Sequence, residues 1–190
     1  RMTVRGVVLF PGAGSSADHI SLVSISAEIF PIPNERIDFP YRKAGRKFPD
    51  KAPVLVQYVK DEVRRYAQAI GCSTSQIAIG GRSMGGRMCT MAIADEHDPL
   101  EVAGVVCVSY PLHPPKKPEQ LRTGHLPRLH SQSLFISGTR DEFGSPAELR
   151  EAFTLLPNQP VVKFIEGAGH DLRGHNANVG AMIKDWLLTL

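Results

Sequence analysis

About six short runs of strand character recur down the chain, each emptying into a turn and most followed by a stretch that reads as helix. The runs are Thr3–Phe10, Arg36–Phe39, Gln76–Gly80, Val102–Ser109, Ser133–Ser137 and Val161–Glu166. Most are rich in Val, Ile and Leu without polar alternation, as expected of strands covered on both faces. Between them, Asp18 or Ser16 is placed to cap a helix running to Ile29, which Pro31 and Pro33 end. Pro40-Tyr41 breaks the second run. Val54 to Ile70 carries Val56, Val59, Val63, Tyr66 and Ile70 at helical spacing, with Gly71 as its cap. Further helices are expected over Met84–Ala94, Pro146–Leu155 and Asn176–Leu188. Such alternation predicts an α/β three-layer sandwich: a mostly parallel sheet of about six strands, helices on both faces, and one domain over residues 1–190. Crossovers should be right-handed, and ligands should bind outside the carboxyl ends of the strands.

Composition narrows the function classes. The 190 residues are 42% hydrophobic and 22% charged, with 22 basic against 19 acidic groups. A net charge of +3 without a long basic block gives no nucleic-acid footprint. The apolar run near Val102–Val108 falls far short of the roughly 20 residues that cross a bilayer. No basic-plus-apolar leader opens the chain, and Cys72, Cys89 and Cys107 show no C-x-x-C spacing. Buried inert thiols and a cytoplasmic location are the expectation. His113, His125 and His130 are poorly patterned for a metal, so no metal site is expected. They fall in Tyr110–His130, which also holds Pro111, Pro114, Pro115, Pro118 and Pro127. That segment is too irregular for a long helix and too short for a lid domain. It reads as a rim with one short helix near Glu119–Arg122.

Chemistry concentrates in Ile77–Arg87, which contains Gly81-x-Ser83-x-Gly85. A serine at a glycine-tight strand-to-helix corner is pushed into the cleft, and the Met84 N–H points the same way at a helix N-terminus. Alone the pentapeptide is weak, because a serine in a glycine-rich turn is usually only a turn residue. Its weight comes from other strand ends. The first strand empties into Pro11-Gly12-Ala13-Gly14, whose Ala13 N–H is a second candidate oxyanion donor. Asp141 follows the fifth strand and His170 the sixth. A serine hydroxyl needs a base, and the base needs an orienting acceptor. His170 is assigned as base and Asp141 as its carboxylate, in the chain order Ser83, Asp141, His170. Glu142 and His175 are the rivals, and Asp171 could be the acid only by leaving the strand-end pattern. Gly12, Arg82, Tyr41 and Tyr110 are expected to contact substrate, and His19 is a weaker candidate. Arg82 reads either as an ion pair with Asp38 or Glu28 or as a clamp for a substrate carboxylate. Arg87 reads as a surface or structural helix residue.

The segments Phe10–Gly14, Phe39–Tyr41, Gly45–Pro49, Gly80–Arg87, Gly138–Asp141 and Gly169-His170 together resemble an α/β-hydrolase of the lidless, dienelactone-hydrolase-like kind. More narrowly, they resemble the testis-expressed and NSL-complex-subunit hydrolase-like proteins and their bacterial relatives. The resemblance implies a serine-hydrolase scaffold with Ser83, Asp141 and His170 in the triad positions. Pro11 stands where many relatives carry histidine, and Ser83 stands where dienelactone hydrolases proper use cysteine. The expected function is hydrolysis of a small ester or thioester, with a small-molecule acyl substrate, no cofactor and no membrane. The alternative is a non-catalytic interaction module of a protein complex, presenting the basic Arg42–Lys47 rim.

Overall fold

A computed structural model describes residues 4–190. Six strands form one sheet: β1 (Gly6–Phe10), β2 (Asn34–Arg36), β3 (Ile77–Arg82), β4 (Gly104–Val108), β5 (Ser133–Gly138) and β6 (Val161–Ile165). Every pairing is parallel, in the order β2-β1-β3-β4-β5-β6. The helices are α1 (Ile20–Glu28), α2 (Pro40–Lys43), α3 (Ala52–Ala69), α4 (Met84–Ile93), α5 (Pro146–Phe153) and α6 (Asn176–Leu187).

The strands are apolar throughout because both faces are covered. Successive side chains point to opposite sides of a sheet, so neighbours in sequence enter different cores. Val8, Phe10, Ile77, Ile79, Val105 and Phe135 pack under α3, α4 and α5. Val7, Leu9, Ala78, Val106, Leu134 and Ile136 pack against α1 and α6 through Leu22, Ile25, Ile183 and Trp186. A Val, Leu, Ile or Phe side chain, fully buried, contributes about 1.5–3 kcal/mol.

Several local expectations shift. Thr3, the first residue of the expected opening strand, lies outside the described residues. The second strand is Asn34–Arg36 rather than Arg36–Phe39. Val7 and Leu9 of β1 bracket it through Val7 N–H to Pro33 O and Ile37 N–H to Leu9 O. Ile37 and Phe39 are instead buried in the core beyond it. Pro40 does not merely break that strand; it opens α2, where its missing N–H goes unneeded. The cap of α1 is neither Ser16 nor Asp18 but His19, whose Nδ1 accepts from the Ser21 N–H. No helix forms at 119–122. Arg122 is tied to Leu112 O by its N–H and accepts from Tyr110 Oη, and a short 3-10 turn sits at Leu126–Arg128 instead.

Candidate active site

The strand order reverses between β1 and β3, and a parallel sheet opens a crevice at such a reversal. A cleft of about 490 Å³ lies there, walled in part by Gly12, Ala13, Arg82, Ser83, Phe143 and His170. Ser83 occupies the corner between β3 and α4 with φ 48° and ψ −118°. A non-glycine residue holds such a conformation only when its surroundings over-determine it. Close packing of the two flanking glycines does so here. A Cβ on Gly81 would stand 2.0 Å from Phe10 O, and one on Gly85 would stand 2.3 Å from the same oxygen. Only glycine lets α4 and β3 close on the end of β1 this tightly.

His170 reaches Ser83 from the turn after β6. Its Nδ1 donates to Asp141 Oδ2 at 2.9 Å, with Oδ1 at 3.0 Å. Its Nε2 is therefore the acceptor of the neutral ring and takes the Ser83 hydroxyl at 3.0 Å. Asp141 is 5% exposed, and its Oδ1 also accepts the Phe143 N–H at 2.9 Å. The Phe143 ring stacks on the imidazole with centroids 4.0 Å apart. From behind, the His170 carbonyl accepts from Ser109 Oγ (2.8 Å) and from Arg82 Nη2 (3.1 Å). Ser109 and Phe143 were not legible as site residues, since each acts through a contact far along the chain.

Among the described residues, the Ala13 and Met84 N–H groups donate to no protein acceptor. Met84 is the first residue of α4, where the helix leaves its N–H groups free. Gly12 sits against the elbow, with the Ser83 Cβ 3.7 Å from where its own Cβ would be. The arrangement can deprotonate a hydroxyl as it attacks a carbonyl and can offer two backbone donors to the oxygen that becomes negative.

Two tyrosines expected to contact substrate do not reach the cleft. Tyr41 is fully buried beneath the loop after β1 and donates its hydroxyl to Ala13 O at 2.6 Å. It orients the Ala13 peptide instead. Tyr110 is 1% exposed, packed against Phe135 and Phe153, with its hydroxyl on Arg122 O. Arg82 does line the cleft, but it pairs with neither Asp38 nor Glu28. Its Nη1 donates to Ser21 Oγ at 3.1 Å, and burial lowers its pKa against the opposing fields of Asp171 and Asp141. His19 also lines the cleft; burial, then Arg82, lowers its pKa. Arg87 is half-buried rather than a plain surface residue. It lies in the cleft wall with a buried Nε that has no hydrogen-bond partner. Of the rivals, Glu142 is exposed, and His175 is the residue preceding α6. His113 and His125 are engaged separately, on Pro114 O and Thr90 Oγ1.

A parallel sheet of this order, with a serine elbow at its reversal, defines the α/β-hydrolase class. The chain belongs to that family: the model described as alpha/beta hydrolase domain matches residues 4–185. Among solved structures the chain is similar to Est1E from Butyrivibrio proteoclasticus, at 15% identity and a TM-score of 0.77, covering 100% of this chain and 89% of that one. It is also similar to a monoacylglycerol lipase from Paleococcus ferrophilus, at 15% identity and TM-score 0.72 over 98% and 96% of the two chains. A thermophilic esterase, Est2 of Thermogutta terrifontis, aligns at 18% identity and TM-score 0.70 over 98% and 83%. At these identities the likeness is one of fold. Polyketide synthase ThaQ of Burkholderia thailandensis is 42% identical over 48 residues, which is 25% of this chain and 2% of that protein. No helix among the described residues is long and apolar enough to cross a membrane.

Proposed function

We propose that the protein is a serine hydrolase that cleaves a small ester or thioester. The observation that carries this reading is the unbroken hydrogen-bonded line from Asp141 through His170 to Ser83, in a cleft also lined by Ala13 and Met84, whose N–H groups have no acceptor among the described residues. Ser83 Oγ attacks the carbonyl carbon while its proton passes to His170 Nε2. Asp141 holds the ring in the tautomer that can accept it and stabilises the imidazolium. The carbonyl oxygen, now negative, is held by the two backbone donors. As the tetrahedral centre collapses, His170 gives the proton to the departing alkoxide or thiolate. Water then enters, loses a proton to His170 as it attacks the acyl carbon, and His170 returns that proton to Ser83 Oγ as the acid leaves. No cofactor takes part.

The narrower kinship with dienelactone-hydrolase-like and NSL-subunit-like proteins belongs to this reading and rests on the elbow with its flanking arginines. A cytoplasmic setting is supported by three free cysteines, two of them buried. An interaction module has no use for a strained serine held on a histidine, and part of its basic rim is already paired, Arg46 to Asp50 at 2.7 Å. A fluorophosphonate probe tests the proposal. Wild type should label, and Ser83→Ala and His170→Ala should not, with all three folded. Turnover in Ser83→Ala should fall by roughly 10⁴- to 10⁶-fold. A folded wild type that never labels would sink the enzyme reading and advance the interaction module.

A further inference from the structure

One wall of the cleft carries guanidinium groups that the protein itself leaves without counter-charges. Arg87 lies one helical turn past Ser83 on α4, its N–H bonded to Ser83 O. Its guanidinium makes no hydrogen bond among the described residues, and its Nε is buried. Arg122 approaches from the rim after β4, with one bond to a neutral acceptor, Pro111 O at 3.2 Å. Neither is in a salt bridge among the described residues, although Arg36, Arg46, Arg64, Arg65, Arg128 and Arg173 all are. Both line the same cleft as Ser83. The nearby carboxylates do not compensate. Asp141 is committed to His170, and the Asp171 side chain is 64% exposed beside Arg173.

A buried donor without a partner costs free energy, and a buried cation without a counter-ion costs more. Setting the half-buried Arg122 cation beside Arg87 compounds the cost, and the feature makes sense when a ligand supplies the charge. We propose that Arg87 and Arg122 form an anion subsite, so that the preferred substrate is an ester or thioester carrying a carboxylate or phosphate. The inference rests on the serine-hydrolase reading for its chemistry, but not for its binding. Residues one helical turn apart place their Cβ atoms about 5–6 Å apart. That places the anionic group within a short aliphatic spacer of the reacting carbonyl. Arg suits such a group because its planar fork grips two oxygens at once.

The test compares three substrates of similar length: ethyl pentanoate, monoethyl glutarate and ethyl 4-phosphonooxybutanoate. Wild type should favour one or both anionic esters over the neutral one by about 10- to 100-fold in kcat/KM, mostly through KM. The two anionic arms separate a carboxylate source from a phosphate source. In Arg87→Met and Arg122→Gln the anionic-to-neutral ratio should fall toward one. If Arg87→Met does not fold, Arg87→Lys keeps the charge and loses the fork, and its ratio should fall several-fold. An equal rate on all three esters in wild type, or a ratio unmoved in every arginine variant, would overturn the subsite and leave the serine chemistry standing. Should wild type neither label nor turn over any ester, calorimetry with glutaramate and with inorganic phosphate decides the matter alone. Binding that is lost in Arg122→Gln keeps the subsite. No binding of either anion removes it.

Discussion

The two walls of the cleft are built on opposite terms. On the Ser83 wall nearly every polar side-chain atom already has a partner. Asp141 accepts from His170 and Phe143, His170 bridges Asp141 and Ser83, and even the His170 carbonyl is held by Ser109 and Arg82. On the Arg87 wall the charges are left unpaired among the described residues, with a buried Nε unbonded and two cations adjacent. The first wall is complete before a ligand arrives; the second is completed by one. Preorganisation belongs where the chemistry happens, since donors fixed in advance need no rearrangement during reaction. Recognition tolerates an unfinished wall because the ligand supplies the missing charge.

Breaking the finished wall at its deepest member should have the largest effect. Asp141→Asn keeps the shape but turns an obligate acceptor into a group that can donate, and so releases His170 into the wrong tautomer. Turnover should drop by about 10⁴-fold with little change in melting temperature. A drop of only a few-fold would mean that the imidazole is oriented by Phe143 and the backbone alone. A backbone contrast comes next. Gly85→Ala would place a Cβ 2.3 Å from Phe10 O and 2.6 Å from Pro11 O, both backbone atoms at the oxyanion loop. It should cost at least about 3 kcal/mol and lower the melting temperature by about 6–12 °C. Gly124→Ala, on the rim, meets nothing within 4 Å and should stay within about 0.5 kcal/mol of wild type. Similar losses at both positions would contradict the division between a tightly packed elbow and a permissive rim.

The same division governs how much could be read from sequence. The finished wall is announced by local spacing. Gly81-x-Ser83-x-Gly85 falls within one turn, and Asp141 and His170 each follow an apolar strand directly. A parallel sheet brings all such strand ends to one edge, so three residues far apart in the chain become neighbours by topology alone. The unfinished wall has no local signature. Arg87 reads as a surface or structural helix residue because nothing in its local spacing shows that it lines the cleft with Arg122. Tyr110 and Tyr41 sit beside strand ends as functional residues do, yet their rings fill the core, which spacing cannot distinguish. Arg82 reads as an ion-pair partner of Asp38 or Glu28 or as a clamp for a substrate carboxylate; in place of the ion pair the fold gives it Ser21 Oγ and a carbonyl 88 residues away. The elements were legible wherever period and punctuation agreed. They were displaced where a tertiary bond overruled them, as Leu112 O does at Arg122.

The smallest effect offers the finest probe of the cationic wall. His125 lies behind it, its Nε2 bonded to Thr90 Oγ1 at 2.8 Å, while that hydroxyl donates to Arg87 O at 2.7 Å. The hydroxyl hydrogen is thereby used, so the imidazole must carry its proton on Nε2. Burial, then Arg87, then Arg128 push its pKa down to about 4. The unfolded chain takes up this proton below about pH 6.5, the folded one only below about pH 4. Between those values protonation favours unfolding, so this contribution is fully present above pH 6.5 and is lost as pH falls toward 4. His125→Gln, which can still donate to Thr90, should flatten stability over that window. Arg87→Met should raise the His125 midpoint, by less than about 1 unit because burial persists. An NMR titration of the ring reads that shift directly. A midpoint that stays put would place the Arg87 charge farther from the rim than the wall requires, and a midpoint that rises would locate the uncompensated cation where an incoming anion would meet it.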